Sequence, residues 1–418
     1  MIVKDGAATL ARCLASVSPF IDRIVIGDTG SVDETAEVAR RFGAEVFAIP
    51  WEQDFARARN RVLERRRCDW ILVLDADEML EPSAADEIRD LVQESRLYAY
   101  DNWKWNYVRD CNTRLGFQPA LENPVVLEES RPWPAYVLAL TTRLFRSHPG
   151  IYYDGCVHET VTRRLEALRL PTRRARFIVH HFGLAEDAEE RREEKNQFYR
   201  LLGRRKLAAE PKDPQAWLEL GVDELEYGRR PAEALVCVER ACALHPRYAM
   251  AWLYAGICLV RLGRFQDALE RLARAGELGL RNAIFHQALG DAHFHSGEFG
   301  QARAAYERGG RSPLNTAKLG AAEVRLGEKE QGIRHMQEAV ASDPQFAELY
   351  DILAAGALLG GEANLAADTA EARLDVGKPQ AAHYTLAATL RAGLGDPHRA
   401  EAILERGRVA CREFAEIA

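Results

Sequence analysis

Two aspartates one residue apart, Asp75 and Asp77, close the apolar run Trp70–Leu74, and Glu78 follows them. Along an extended chain, residues i and i+2 face the same way. The two carboxylates are therefore expected on one side, where hard oxygen donors suit a divalent cation that also holds phosphate oxygens. The same spacing serves an exposed turn with a helix-capping aspartate equally well. Two more polar turns follow apolar runs, Lys4-Asp5-Gly6 and Asp28-Thr29-Gly30-Ser31. In an open parallel sheet, ligands bind outside the carboxyl ends of the strands. All three turns are then expected along one sheet edge, and that convergence marks the candidate site.

The elements that must position these turns alternate in the manner of an α/β domain. Strands are expected at Met1–Val3, Arg23–Gly27, Glu45–Ala48 and Trp70–Leu74, and helices at Ala7–Val17, Glu34–Phe42 and Asp54–Arg66. Asp33 is expected to cap the second helix. Beyond Glu94 the pattern is less regular. Asp101–Tyr107 alternates like a strand and is dense in aromatics, which serve either a sugar-stacking surface or a core. Gly116–Tyr136, with Pro119, Pro124, Pro132 and Pro134, reads as a long loop. Arg143–Arg146 and Phe177–Gly183 read as later strands, and the charged stretch Glu186–Pro211 reads as a joining helix.

From Asp213 onward one pattern recurs. The pairs Gly221/Gly228, Gly256/Gly263, Gly290/Gly297, Gly320/Gly327, Ala354/Gly361 and Ala388/Gly395 put successive second glycines 35, 34, 30, 34 and 34 residues apart. Small residues let two antiparallel helices approach, and a glycine at each turn ends the first of them. Pro246 and Pro344 fall where a second helix stops.

The chain has 418 residues, 47% hydrophobic and 28% charged, with a net charge of −7. Several domains are expected from this length. The acidic balance argues against a general nucleic-acid binder. Arg65, Arg66 and Arg67 read as a solvated helix end. The eight cysteines form no C-x-x-C pair and read as reduced thiols. With no signal peptide and no membrane-spanning apolar run, the expected location is cytoplasmic.

The strings Met1–Lys4, Asp28–Thr35, Trp51–Asn60 and Trp70–Glu78 together resemble glycosyltransferase family 2, well over residues 1–80 and loosely to residue 183. The resemblance implies a GT-A fold, a nucleotide-diphospho-sugar-transferase-like sheet with a D-x-D metal motif. It implies an inverting transfer from a nucleotide sugar, with a UDP-sugar favoured, dependent on Mn2+ or Mg2+. Asp28 would then bind the base or ribose, while Lys4, Arg59 and Asn60 would support the nucleotide or pyrophosphate. Asp75 and Asp77 would act through the metal, Asp77 most directly. A later Gly155-Cys156-Val157-His158-Glu159 turn resembles a motif of repeat-bearing members. It implies Glu159 as the base, Asp154 as second choice, and His158 orienting that base or touching the phosphates, unless it is structural. His180 or His181 would supply a third metal ligand, with His181 preferred, unless the pair is structural. This chain departs from the pattern at Asp5, where many relatives carry Asn. Its first strand is also expected to be cut short at Met1.

Residues 213–418 resemble about six tetratricopeptide helix pairs, which would coil into an all-α superhelix. The expected organisation is a GT-A domain at 1–185, a connecting helix at 186–212 and the repeats at 213–418. The resemblance implies a peptide or protein acceptor held by the repeats, or an oligomer contact. The alternatives are a non-catalytic peptide-binding scaffold and a transferase acting on glycans or lipid-linked sugars.

Overall fold

A computed structural model describes residues 1–109, 114–115, 118–186 and 189–411. It divides into two compact units, Met1–Arg229 and Arg230–Ala418.

The first unit opens with β1 (Ile2–Val3), α1 (Ala7–Val17), β2 (Val25–Asp28), α2 (Thr35–Arg41), β3 (Glu45–Ala48), α3 (Phe55–Leu63) and β4 (Trp70–Leu72). It continues with β5 (Glu78–Leu80), α4 (Ala84–Leu91), β6 (Ala99–Val108), β7 (Arg114–Leu115), β8 (Gln118–Glu122) and β9 (Ala135–Arg146). It ends with α5 (Thr162–Ala167), β10 (Thr172–His181), α6 (Gly183–Glu186), α7 (Glu189–Ala209) and α8 (Pro214–Glu226). Helix α1 buries Leu10, Cys13, Leu14 and Val17, a stripe at helical spacing. Helix α3 is capped by Asp54, which accepts from the Arg57 amide. In α2 the first flanking residue is Glu34, and Asp33 accepts from the Thr35 amide at 3.0 Å.

The sheet differs from the single open sheet expected. Strands β1, β2 and β3 form one parallel sheet, whereas β4 pairs antiparallel with β9 in a second sheet. With two residues, β1 is too short to bridge β2 and β4. A cavity of about 600 Å³ lies there, lined by Met1, Leu14, Val25 and Trp70 among others. The second sheet runs β5-β10-β6-β9-β8-β7. The segment expected as a loop contains β8, which pairs with β9 through Ala120↔Val137 and Leu121↔Tyr136. Its starting residues Gly116 and Phe117 lie outside the described residues. Of the β6 aromatics, Tyr100 and Tyr107 are buried and Trp103 and Trp105 are partly exposed. Tyr107 is fully buried and stacks on Phe182, and Trp105 stacks on Tyr136 at 4.0 Å.

Helices α7 and α8 are part of this unit. Lys206 of α7, nearly buried, reaches Glu219 of α8 at 2.8 Å, and Arg163 reaches Asp213 at 3.0 Å.

The second unit is helical: α9 (Pro231–Leu244), α10 (Ala249–Arg261), α11 (Phe265–Glu277), α12 (Ala283–His295), α13 (Phe299–Arg308), α14 (Pro313–Arg325), α15 (Lys329–Ser342), α16 (Ala347–Gly360), α17 (Ala363–Ala372), α18 (Ala381–Gly393) and α19 (Pro397–Ala410). Every helix the repeat pattern calls for is present, with α8 as the first. The short register has a definite origin, since α13 has ten residues where α11 has thirteen. A side chain at Gly290 would run into the Tyr306 ring, and one at Gly256 would stand 2.7 Å from Leu272. The turn glycines from Gly263 to Gly395 take positive φ, whereas at the first turn Arg229 does so in place of Gly228.

A chain ending at Arg229 is expected to fold cooperatively. One ending at Lys212 loses the α8 contacts and the buried Leu218, Leu220 and Leu225. It is expected to melt roughly 5–10 °C lower, as calorimetry on the two fragments would register. Equal melting temperatures would place α8 with the repeats.

Candidate functional site

The turn Asp75–Glu78 joins β4 to β5, closed by the Glu78 amide donating to the Asp75 carbonyl at 3.0 Å. It is a turn, not a continued strand, so the i, i+2 alternation does not apply. Asp75 and Asp77 accordingly have different partners.

Asp75 points at two arginines. Its Oδ1 accepts from Arg59 at 2.8 Å and its Oδ2 from Arg143 at 3.0 Å. Arg59 also donates from Nε to Glu159 Oε1 at 2.6 Å. Arg143 pairs with the fully buried Glu78, which Lys104 approaches at 3.4 Å. Glu78 Oε2 in turn accepts from the Asp75 amide at 2.9 Å. The cluster holds three carboxylates and three cations, so it is neutral as a set. Burial pushes the Asp75 carboxyl up, but Arg59, Arg143 and Lys104 outweigh it and hold the group well below the usual range. Burial likewise opposes the charge on Arg59, yet Asp75 and Glu159 raise it well above the ordinary value.

These contacts place the other residues expected at the site. Arg59 is buried in the ion cluster, and Asn60 clasps the Tyr153 backbone, donating to its carbonyl at 2.9 Å and accepting from its amide at 2.8 Å. These hydrogen bonds pack the 150s loop against α3, while Arg59 Nη1 is buried with no hydrogen-bond partner. Glu159 is an ion-pair partner of Arg59, which Asp75 also pairs. His158, at a positive φ, faces Asp223 of α8 at 3.8 Å and not the acidic turn. Asp154 accepts from the adjacent Gly155 amide at 3.0 Å, and its backbone bridges Thr160.

Asp77 faces His181. Strand β10 lies between β5 and β6, in a register that sets Glu78, His181 and Asn106 side by side in one row. His180, one residue earlier, falls in the opposite row. It is fully buried, and its Nδ1 meets the Tyr107 hydroxyl at 2.9 Å. Burial lowers its pKa to about 4. His180 is thus set apart from Asp77, while His181 Nε2 lies 3.3 Å from Asp77 Oδ2. Burial raises the Asp77 carboxyl, but the charge and hydrogen bond of His181 win, and its pKa falls to about 2. A side chain at Gly183 would run into Asp77 Oδ2 and stand 2.9 Å from His181 Nε2. The backbone there is held by Arg12, which grips Glu186 at 2.7 and 2.9 Å.

The other polar turns meet this one. A side chain at Gly6 would stand 3.2 Å from the Ala76 methyl. Asp5 accepts from the Val32 amide at 2.8 Å, and its own amide donates to Ser31. Asp28 Oδ1 accepts from the amides of Gly30 and Ser31 at 2.9 and 2.7 Å. Lys4 is exposed on the first turn. The turns after β1, β2 and β4 are therefore contiguous.

Glu78, Arg143, Asn106 and Gly183 are site residues that motif reading missed. A signal existed for one: Asn102, Lys104 and Asn106 repeat at period two inside an aromatic strand, marking a polar row on a buried sheet. Tyr199 of α7 also belongs here. It lies 5.9 Å from the Phe55 ring, and burial, with the charges of Glu159, Asp75 and Asp77, raises its pKa to about 12.

Among the described residues, no three His, Cys, Asp or Glu side chains gather as a metal site. The pair Asp77 and His181 nonetheless fits a shared cation, since a carboxylate and an imidazole nitrogen converge on a space kept open at Gly183. The remaining positions would fall to phosphate oxygens and water.

Residues 1–116 match the model of Glycosyl transferase family 2. Residues 222–277 and 259–315 match a tetratricopeptide repeat model. A TPR repeat-containing protein of Synechococcus elongatus is 32% identical over 198 residues, covering 46% of this chain and 43% of that protein. An uncharacterized glycosyltransferase of Rickettsia felis is 36% identical over 90 residues, covering 21% of this chain and 31% of that one. The chain thus spans less than half the length of either relative. Among solved structures, the Cut9–Hcn1 hetero-tetramer aligns over 52% of this chain and 47% of its own, at 17% identity and a TM-score of 0.42.

Two outcomes follow from the ion cluster. Arg143→Met leaves Glu78 buried without its main counter-charge and is expected to cost about 3–5 kcal/mol in denaturant titrations. A carboxyl depressed on folding stabilises the protein above its unfolded pKa, and this is lost as pH falls toward the folded value. The contribution of Asp75 is therefore expected to be complete above about pH 4 and to fade below it, with a smaller loss across the same limb in Arg143→Met, where Asp75 is less depressed.

Proposed function

From a chain that carries a family 2 glycosyltransferase domain over residues 1–116 and tetratricopeptide repeats behind it, we propose that it transfers a sugar from a nucleotide-sugar donor to an acceptor. The observation that carries this reading is the Asp77–His181 pair at 3.3 Å, beside the contiguous turns of Asp5, Asp28 and Asp75. In the proposal Asp77 and His181 hold a divalent cation, Mn2+ or Mg2+. When bound, such a cation neutralises charge on the departing diphosphate. The chain's own residues prepare the place. Arg59 and Arg143 fix Asp75 and so the turn that presents Asp77. Gly183 leaves the room, and Lys4 supplies an exposed positive charge toward phosphate. Asp28, held by its own loop, is the proposed partner of the nucleoside, with uridine favoured. Preorganised groups of this kind act because they need no rearrangement as charge develops. The repeats are proposed to hold a peptide or protein acceptor, as such arrays present an extended concave surface. No helix among the described residues is long and apolar enough to cross a membrane.

A second reading, a non-catalytic peptide-binding scaffold, is favoured by one observation: both oxygens of Asp75 are committed to arginines. A panel of nucleotide sugars with Mn2+ or Mg2+, assayed for released nucleoside diphosphate, separates the two. Asp77→Ala is expected to lower release at least about 100-fold in a variant that remains folded by circular dichroism. Gly183→Ala is expected to lower it as well, by filling the space beside Asp77. Release unaffected by Asp77→Ala would overturn the role proposed for Asp77 and its cation, whereas no release, with tight peptide binding and no nucleotide binding, would favour the scaffold.

A further inference from the structure

Asn106 is buried on β6, directly across from His181 in the strand register. Its amide orientation follows from its neighbours. The Val137 carbonyl, 3.0 Å away, needs a donor, so Nδ2 faces it. That turns Oδ1 toward His181 Nδ1, at 2.8 Å. An amide oxygen only accepts, so Nδ1 must carry a proton. Nε2 is then the nitrogen left to face Asp77 Oδ2, 3.3 Å away. With Nε2 unprotonated, two acceptors oppose each other across a space that a side chain at Gly183 would fill. Such a pair is reconciled by a proton or by a metal cation. The chain Val137–Asn106–His181 therefore decides which ring nitrogen is offered to the cation.

We infer that Asn106 is a positioning residue, which keeps His181 Nδ1 protonated so that Nε2 is presented with Asp77 as a cation-ligating pair. The inference rests on the proposed cation site for its purpose, but the proton's place on the ring is a separate fact. It extends that site to a residue outside the acidic turn. Ligating histidines depend on such partners, whose loss typically weakens metal binding roughly 10–100-fold.

The test uses the full chain. Nitrogen-15 NMR of the histidine rings, with the His181 signal assigned through His181→Gln, reads which nitrogen bears a proton. Nδ1 is expected to be protonated in the wild type and to lose that preference in Asn106→Leu. In parallel, Mn2+ binding in the presence of uridine diphosphate is read from the free-ion electron paramagnetic resonance signal. Asn106→Leu is expected to bind roughly 10–100-fold more weakly, and Asn106→Asp, which keeps an acceptor for Nδ1, to bind within a few-fold of wild type. A bare Nδ1 in the wild type overturns the inference without any variant. So does Asn106→Leu that folds and binds Mn2+ as tightly as wild type. If instead Asp77→Ala and His181→Gln bind Mn2+ normally, the proposed cation site fails, and the NMR result still decides what Asn106 does.

Discussion

The candidate site depends on one buried arrangement, the clasp of Asp75 between Arg59 and Arg143. Ions taken out of water are costly, and their mutual attraction offsets this only with matched charge and good hydrogen bonds. The cluster matches its charges by drawing on α3, the turn after β4, β6, β9 and the 150s loop. Segments far apart in the chain are thereby tied to one point. A single unmatched change leaves a buried charge without a partner, so the cluster ties the geometry of the turn to the integrity of the domain.

That clasp also explains how two aspartates one residue apart do different work. The turn carries Asp75 inward to the arginines and leaves Asp77 facing His181. A similar separation occurs on β10, where the pleat sends His180 into the aromatic core and His181 to the polar row. In each case the side chain turned inward joins a buried group, Asp75 the arginines and His180 the Tyr107 hydroxyl, while Asp77 and His181 face each other.

The second unit is organised on a different principle. Each helix packs on its near neighbours, so close approaches such as Gly290 on Tyr306 recur with the repeat. Stability in such arrays builds from neighbour to neighbour. Helix α8 belongs to the first unit, where Glu219 and Asp223 and the capping Asp213 meet Lys206, His158 and Arg163.

Local pattern was enough for the helices of the repeats, because their period and turn glycines act over a few residues. It was enough too for α1, β3 and the position of the acidic turn, where apolar spacing and turn chemistry are short-range. It placed Asp28, Asp75 and Asp77 in contiguous turns. It could not say that β1 and β4 would lie in separate sheets, that the proline-rich segment would supply β8, or that Arg59, Asn60 and Glu159 would turn inward. Those outcomes depend on strand register and on charge pairing between residues up to a hundred positions apart, as in Arg59 with Glu159. The row of Glu78, His181 and Asn106 exists only once three strands are laid side by side. Backbone pairing across a sheet, not the order of residues along a strand, decides which side chains share a space.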